Sequence, residues 1–543
     1  MEETRPVVCV GMRDRSEGER IGLMCLQGLA NRGGARMFLL HRPDWDAHWM
    51  NWYAYYGIEA EEMSAEAAAE RFGSLVNGFV VWDEKLRDTI PIAITIAGIR
   101  GLVAADAKTA AGFPHAPIVE DLRGRWRDKI EAYRWAVEHL LPNCARRAVG
   151  SLEVSEKPES FWSPAVDYLV GERSFVHSLC AHPDRPEEAE LWHRIASQME
   201  REAFAVGWSV PPDIEATYVD ACSRHGLVQL CSSGGANLSF HRHIAAKEPL
   251  RQKHASEADV RLEKAVYITF SQTDGDSLHA MTNLQQGQWA SPLRGSVPMG
   301  WWIAPRLSAG LGPALLEYYY RTATPNDYFV AGPSGAGYNY PSVYDGLDRF
   351  LALTREHMRL CDARTIWMIN RVVKALPGGF VQHRTKAGDV PLPLKDGNLV
   401  EETKNKYGAD WLDEDVAARY IKALPDCPGF FQGFETVVGE EDRMIDGKPW
   451  IPTKVMVDSP EQGERDIEAY LKGRPLPFGA TQGAAPQGRP DGRPAFVSCT
   501  VNMCGPMNRN MFEKMLILVR RLEAKGYRIV RPDEFLILRR KAG

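Results

Sequence analysis

No run of 18 or more apolar residues occurs in this 543-residue chain, so no membrane-spanning helix is expected. Neither sign of charge is in large excess. The formal net charge is −6, which offers no general basic face, and nucleic acid is not an expected partner. The 10 cysteines are scattered without a CxxC pair, and only Cys499 and Cys504 lie near each other. That pattern excludes a disulfide frame or a structural zinc site and fits reduced, buried thiols. Glycines 28, 33 and 34 do not form GxGxxG after a strand. No GK[ST] follows a glycine-rich loop, and no G-x-S-x-G elbow occurs. Dinucleotide, P-loop and elbow-serine chemistry are therefore set aside, and no cofactor is expected. The opening segment, MEETRPVVCVGMRDR, is charged and has no signal-peptide core. A cytoplasmic location is expected unless a leader has been removed.

What is present is an ordinary globular composition, 44% hydrophobic and 25% charged. At roughly 150 residues per domain the length suggests three or four domains. Short apolar runs alternate with helical periodicity along the whole chain, which reads as α/β. We expect an N-terminal α/β subdomain over 1–115, a second α/β region over 116–255 and a larger C-terminal domain over 256–543. In the first region, Asp14 and Asp83 each follow a strand and read as helix caps. In the second, His241 and His243 lack a third ligand and read as surface or hydrogen-bonded side chains. From Val266 onward the alternation is regular. Expected strands are Val266–Ser271, Val297–Ile303, Tyr328–Gly332, Thr365–Ile369, either Gly379–His383 or Gly429–Phe434, Thr453–Val457, Phe496–Val501 and Tyr527–Val530. Seven or eight such units fit a closed β/α barrel, with an open doubly wound sheet as the competitor. The Pro- and Gly-rich stretch Arg474–Pro494 reads as a surface excursion.

In repeated strand–helix units, chemistry collects where strands end. Asp274 and Asp276 stand at such an end. Two neighbouring carboxylates repel when both are ionised, which makes one of them a general acid near neutral pH. Divalent-metal ligation with His279 and simple helix capping are the other uses of the pair. Glycosidases need two carboxyl groups flanking the bond, so a partner from another strand is required, and Glu435 is the candidate. Glu317 lies inside an expected outer helix, and Asp327 precedes its strand. GPSGAGYNYP (Gly332 to Pro341) is the most distinctive string. Glycines 332, 335 and 337 allow positive φ and close backbone approach. Tyr338, Asn339, Tyr340 and Trp302 offer flat faces and polar rims suited to sugars. Asn370 and Asn502 end strands and are candidates to bind hydroxyls. Ser334 lacks an elbow and is not read as a nucleophile.

GAGYNYP (Gly335 to Pro341) matches the motif of the GxGYxYP putative glycoside hydrolase family. LQGLANRGGARMFLL, FSQTDGD, VPMGWW, TATPNDYFVAGPSG and YRIVRPDEFL also resemble that family's pattern, so the resemblance spans nearly the whole chain. It implies α/β N-terminal subdomains followed by a barrel-like C-terminal domain linked to carbohydrate processing. One departure is Ser277, where a DGDN-like string would carry asparagine. The expected activity is cleavage of a glycosidic bond by carboxylate acid/base chemistry, with a carbohydrate as the partner and no metal. A metal-dependent deacetylase-like hydrolase and a non-catalytic carbohydrate-binding protein are the alternatives.

Overall fold

The computed structural model describes residues 6–112, 116–154, 165–231, 236–275, 280–385, 388–395, 398–399, 412–434, 441–473 and 494–543. The chain forms two compact units. The first is Met1–Tyr218 with His225–Lys247 and Gly310–Tyr318. The second is Val219–Arg224 with Glu248–Ala309 and Tyr319–Gly543.

The first unit holds three small parallel sheets. In one, β1 (Val7–Gly11) lies between β2 (Met37–Leu40) and β3 (Ala60–Glu62). In the next, β4 (Phe79–Val81) lies between β5 (Val103–Ala105) and β6 (Ile118–Asp121). The third contains β7 (Ala145–Ser151), β8 (Ser174–His177), β9 (Phe204–Gly207) and β10 (Val228–Cys231) in the order β10-β9-β7-β8. The central strands β1 and β4 are buried along nearly their whole length, whereas the edge strands β3 and β6 are largely exposed. The helix Glu17–Ala30 starts on a capping box between Ser16 and Glu19, so Ser16 takes the role expected of Asp14. Asp83 is not a cap either. Its carboxylate accepts from the Lys85 and Gly124 amides at 2.9 and 2.8 Å, fastening the turns after β4 and β6. The apolar stretch Ile90–Ile99 is a helix, Thr89–Arg100, buried nearly all round. His241 is buried against the Tyr53 hydroxyl at 2.5 Å, and burial pulls its pKa down to about 3. Glu317 is buried too, its Oε2 accepting from the Tyr56 hydroxyl at 2.5 Å and the Lys247 amide at 2.6 Å.

The second unit is built on one large sheet. Its strands are β11 (Val266–Gln272), β12 (Met299–Ile303), β13 (Asp327–Ala331) and β14 (Ile366–Met368), joined after an excursion by later strands. The excursion is an antiparallel meander of β15 (Val373–Leu376), β16 (Phe380–Thr385), β17 (Gly388–Lys395) and β18 (Asn398–Leu399). The sheet resumes with β19 (Phe430–Gln432), β20 (Arg443–Ile445), β21 (Lys448–Pro452), β22 (Val455–Val457) and β23 (Ala495–Val501), and β24 (Arg528–Ile529) pairs the start of β11. The order is β20-β21-β19-β14-β13-β12-β11-β23-β22, parallel throughout except for the β20–β21 hairpin. The two strands expected as alternatives both form, one in the meander and one in the parallel sheet.

One continuous stretch, Lys448–Val457, supplies strands at both ends of that order. β21 pairs β19, and β22 pairs β23. Between them the Thr453 amide donates to the Gln432 carbonyl at 2.8 Å, and the Lys454 amide to the Ser498 carbonyl at 2.9 Å. One face of the sheet gathers Tyr267, Trp302, Tyr328, Val330, Trp367, Phe431, Ile451 and Phe496 into a single buried cluster with Phe535–Leu538 of the C-terminal helix. Burying that much aromatic and aliphatic surface is the main stabilising term, at about 25 cal/mol per Å². The outer helix expected around Glu317 is a short 3-10 turn, Pro305–Ala309, followed by a helix, Pro313–Thr322. The Arg474–Pro494 excursion lies, apart from Pro494, outside the described residues.

Candidate functional site

The site is built where β11 ends. Its alternation puts Thr269, Ser271 and Thr273 on the face that carries Tyr267. Asp274 follows in the left-handed region at φ 64°, a conformation uncommon for any residue with a side chain. Two hydrogen bonds hold its Oδ2: the Thr273 hydroxyl donates at 2.6 Å, and the Met503 amide donates at 3.3 Å. Met503 belongs to the turn after β23, the parallel neighbour of β11. That turn is tightened by Asn502, whose Oδ1 accepts from the Cys504 amide at 2.8 Å. Asn502 thus braces the turn that grips Asp274. The Asp274 side chain is half-buried, so it is both oriented and within reach of solvent.

Gly275 explains why the turn sits where it does. A Cβ built there would stand 1.6 Å from the Trp302 carbonyl oxygen of β12. Only glycine allows the aspartate turn to lie this close against the neighbouring strand. The indole of Trp302 reaches on to Gly332, where an added Cβ would meet the ring at 2.9 Å. Trp302 is therefore the shared piece: its backbone supports the aspartate turn, and its ring supports the start of the glycine-rich loop.

That loop is held from inside. Gly335 and Gly337 have positive φ, whereas Gly332 serves the close approach. Ser334 is fully buried at φ 62°. Its hydroxyl bridges the carbonyls of Asn339 (2.9 Å) and Ile369 (3.0 Å), and its own carbonyl accepts from the Tyr420 hydroxyl at 2.9 Å. Burial raises the Tyr420 pKa well above its usual value, keeping it a donor. Ser334 is a structural hub, consistent with the absence of an elbow around it. Tyr340 is buried, with its amide donating to the Ser223 hydroxyl at 3.0 Å, and Tyr338 packs edge-on against it at 5.9 Å. Asn370, 1% exposed, accepts from the Ser342 amide at 3.0 Å and donates to the Ser342 hydroxyl at 2.9 Å, so it holds the exit of the loop. Trp302 is 1% exposed and Asn339 fully buried. Their Trp302 Nε1 and Asn339 Oδ1 atoms have no hydrogen-bond partner among the described residues. Buried polar atoms left in that condition call for an explanation.

The structure thus brings Asp274, Trp302 and the Gly332–Pro341 loop together around β11, β12 and β13. Asp276, His279 and Glu435 lie outside the described residues. Among the described residues no group of three or more His, Cys, Asp or Glu side chains stands ready for a metal. Among the described residues, nine cysteines form no disulfide, eight of them buried and Cys504 exposed. No helix among the described residues is long and apolar enough to cross a membrane. Sequence reasoning passed over Thr273 and Met503, two of the groups that hold Asp274. The hydroxyl directly before the aspartate was the available signal for Thr273. The Met503 contact depends on strand order, which no local pattern carries.

The GxGYxYP putative glycoside hydrolase C-terminal domain model matches residues 264–540, more than half of the chain. The second and third domain models of the same family's N-terminal region match residues 76–144 and 150–243. The chain belongs to the GxGYxYP putative glycoside hydrolase family. A crystal structure of a putative hydrolase from Bacteroides thetaiotaomicron superposes with a TM-score of 0.76 at 20% identity, covering 99% of this chain and 95% of that one. That likeness establishes the shared fold. No curated protein matches the chain.

Proposed function

We propose that this GxGYxYP-family member cleaves a glycosidic bond by carboxylate acid/base chemistry at the C-terminal strand ends of its second unit. The observation that carries the reading is Asp274: a carboxylate at a parallel strand end, left-handed in backbone, half-buried, and fixed by Thr273 and Met503. Strained, oriented carboxylates of this kind belong to sites more than to scaffolds. We read the parallel sheet as a closed β/α barrel, because Lys448–Val457 pairs with strands at both ends of the order. In a barrel the C-terminal strand ends converge on one mouth. Asp276 and Glu435 complete the proposal from sequence, with Glu435 as the carboxyl group across the bond. Trp302 Nε1 and Asn339 Oδ1, a donor and an acceptor without partners among the described residues, suit the hydroxyls of a carbohydrate. Tyr338, Tyr340 and Asn370 shape the wall beside them. The family's name and the hydrolase title of the structural neighbour support the reaction class.

The test is a glycan panel assayed for release of reducing ends. Wild-type protein is expected to act on at least one glycan, with Asp274→Asn, Asp276→Asn and Glu435→Gln each reducing turnover by about a hundred- to ten-thousand-fold. Wild-type turnover in both aspartate variants would remove the mechanism. Activity abolished by a chelator and restored by a metal would redirect it to metal-assisted hydrolysis.

A further inference from the structure

β23 lies between β11 and β22, and the three strands run parallel. Their registers set Gln272, Val501 and Val457 level with one another. The residues that follow, Thr273, Asn502 and Asp458, therefore form one row across three neighbouring strand ends. Two residues earlier stand Ser271, Thr500 and Met456, also level. Alternation puts both rows on the face that carries Tyr267 and Phe496. Asp458 comes just before the helix Pro460–Leu471 but is not its cap. The cap is Ser459, whose hydroxyl accepts from the Gln462 amide at 3.1 Å. Gln462 reaches back, its Oε1 accepting from the Asp458 amide at 2.8 Å and its Nε2 donating to the Met456 carbonyl at 2.9 Å. The Asp458 backbone is thus fixed by a cap that does not use its carboxylate. Its side chain is half-buried, as that of Asp274 is.

We propose that Asp458 is a catalytic residue, the general base that activates the attacking water in an inverting hydrolysis. This rests on the glycosidase reading above and gives the duty of the carboxyl group across the bond to a residue whose place the structure describes. The spacing supports it. Neighbouring strands lie about 4.8 Å apart, so β11 and β22 are about 9.6 Å apart. Asp274 leans toward β22, because its Oδ2 accepts from the Met503 amide on the turn after β23, which brings the two carboxyl groups below that figure. Inverting enzymes hold theirs about 6.5–9.5 Å apart, leaving room for a water. The Asp274/Asp276 pair gives a proton to the glycosidic oxygen as its bond to the anomeric carbon breaks. Asp458 takes a proton from water as the water oxygen bonds to that carbon from the opposite face. One water is consumed, each fragment gains a hydroxyl, and solvent returns the proton from Asp458 to the acid.

Asp458→Asn keeps the side chain's size and should lower turnover by about a hundred- to ten-thousand-fold, with a melting temperature near wild type. Azide gives the sharper readout. It attacks as an anion and needs no base. It should therefore restore cleavage in Asp458→Ala, releasing a glycosyl azide, and should rescue neither Asp274→Asn nor Glu435→Ala. Proton NMR of the first-formed wild-type product should show an inverted anomeric centre. Wild-type turnover in Asp458→Asn, activity lost only in step with folding, rescue of Glu435→Ala instead, or a retained anomer would each overturn the role of Asp458 and leave the glycosidase reading standing. A wild-type protein that cleaves no glycan in the panel overturns that reading itself, and this role with it.

Discussion

Two turns at the C-terminal ends of one parallel sheet meet the same tryptophan and differ in almost everything else. The turn after β11 rests on the Trp302 backbone and presents a half-buried aspartate held by two donors. The loop after β13 rests on the Trp302 ring and is folded around a fully buried serine. The first is short and belongs to one of the family-like strings, FSQTDGD; the second is the most distinctive string in the chain. On the proposed reading, their difference shows how a signature and a reactive group part company. A backbone threaded through a packed interior tolerates few residues, so it leaves a strong sequence mark. A carboxylate at a strand end needs its own side chain and a few donors, and leaves a shorter mark.

The comparison can be broken most sharply at Asp274. Asp274→Asn should cut turnover by about a hundred- to ten-thousand-fold. Its melting temperature should stay near wild type, because an amide oxygen can still accept from Thr273 and Met503. Next comes Gly275→Ala. Its methyl group would have to displace the Trp302 carbonyl of β12, so it should cost about 3 kcal/mol in denaturant unfolding and impair activity as well. On the other side, Ser334→Ala removes a hydroxyl that bridges two buried carbonyls. A loss of about 1–3 kcal/mol is expected, with turnover per folded molecule kept close to wild type. The smallest effect is expected at Asn502→Ala. Losing one turn-closing hydrogen bond should cost about 0.5–1.5 kcal/mol. Because the same turn carries Met503, turnover should fall by a few-fold more than stability alone explains.

Much of this architecture was legible in the sequence. Val266–Ser271 and Phe496–Val501 were placed within a residue of β11 and β23, because both are strand-length runs rich in β-branched and aromatic residues. The helix Ala65–Phe72 begins on the Ser64 cap and ends at Gly73, both local signals. Lys448–Pro452 was missed because two prolines and a lysine hide a strand whose partners lie far away in sequence. The meander was half seen: Gly379–His383 competed with Gly429–Phe434 for one place, although the chain uses both. Glu317 read as an outer-helix residue because periodicity cannot reveal that Tyr56 and Lys247 come to meet it. At the candidate site, Asp274 and Trp302 were readable from strand ends and residue type. The roles of Ser334 and Asn370 were not, since both depend on carbonyls and amides supplied by other loops.

The most direct measurement sets Asp274→Asn and Ser334→Ala side by side, with turnover on one released-sugar assay and unfolding midpoint recorded for each. If the first turn does chemistry and the second holds shape, Asp274→Asn loses turnover and keeps its midpoint. Ser334→Ala then does the reverse. An Asp274→Asn protein that works as well as wild type, or one that loses activity only in proportion to lost folding, would contradict the account.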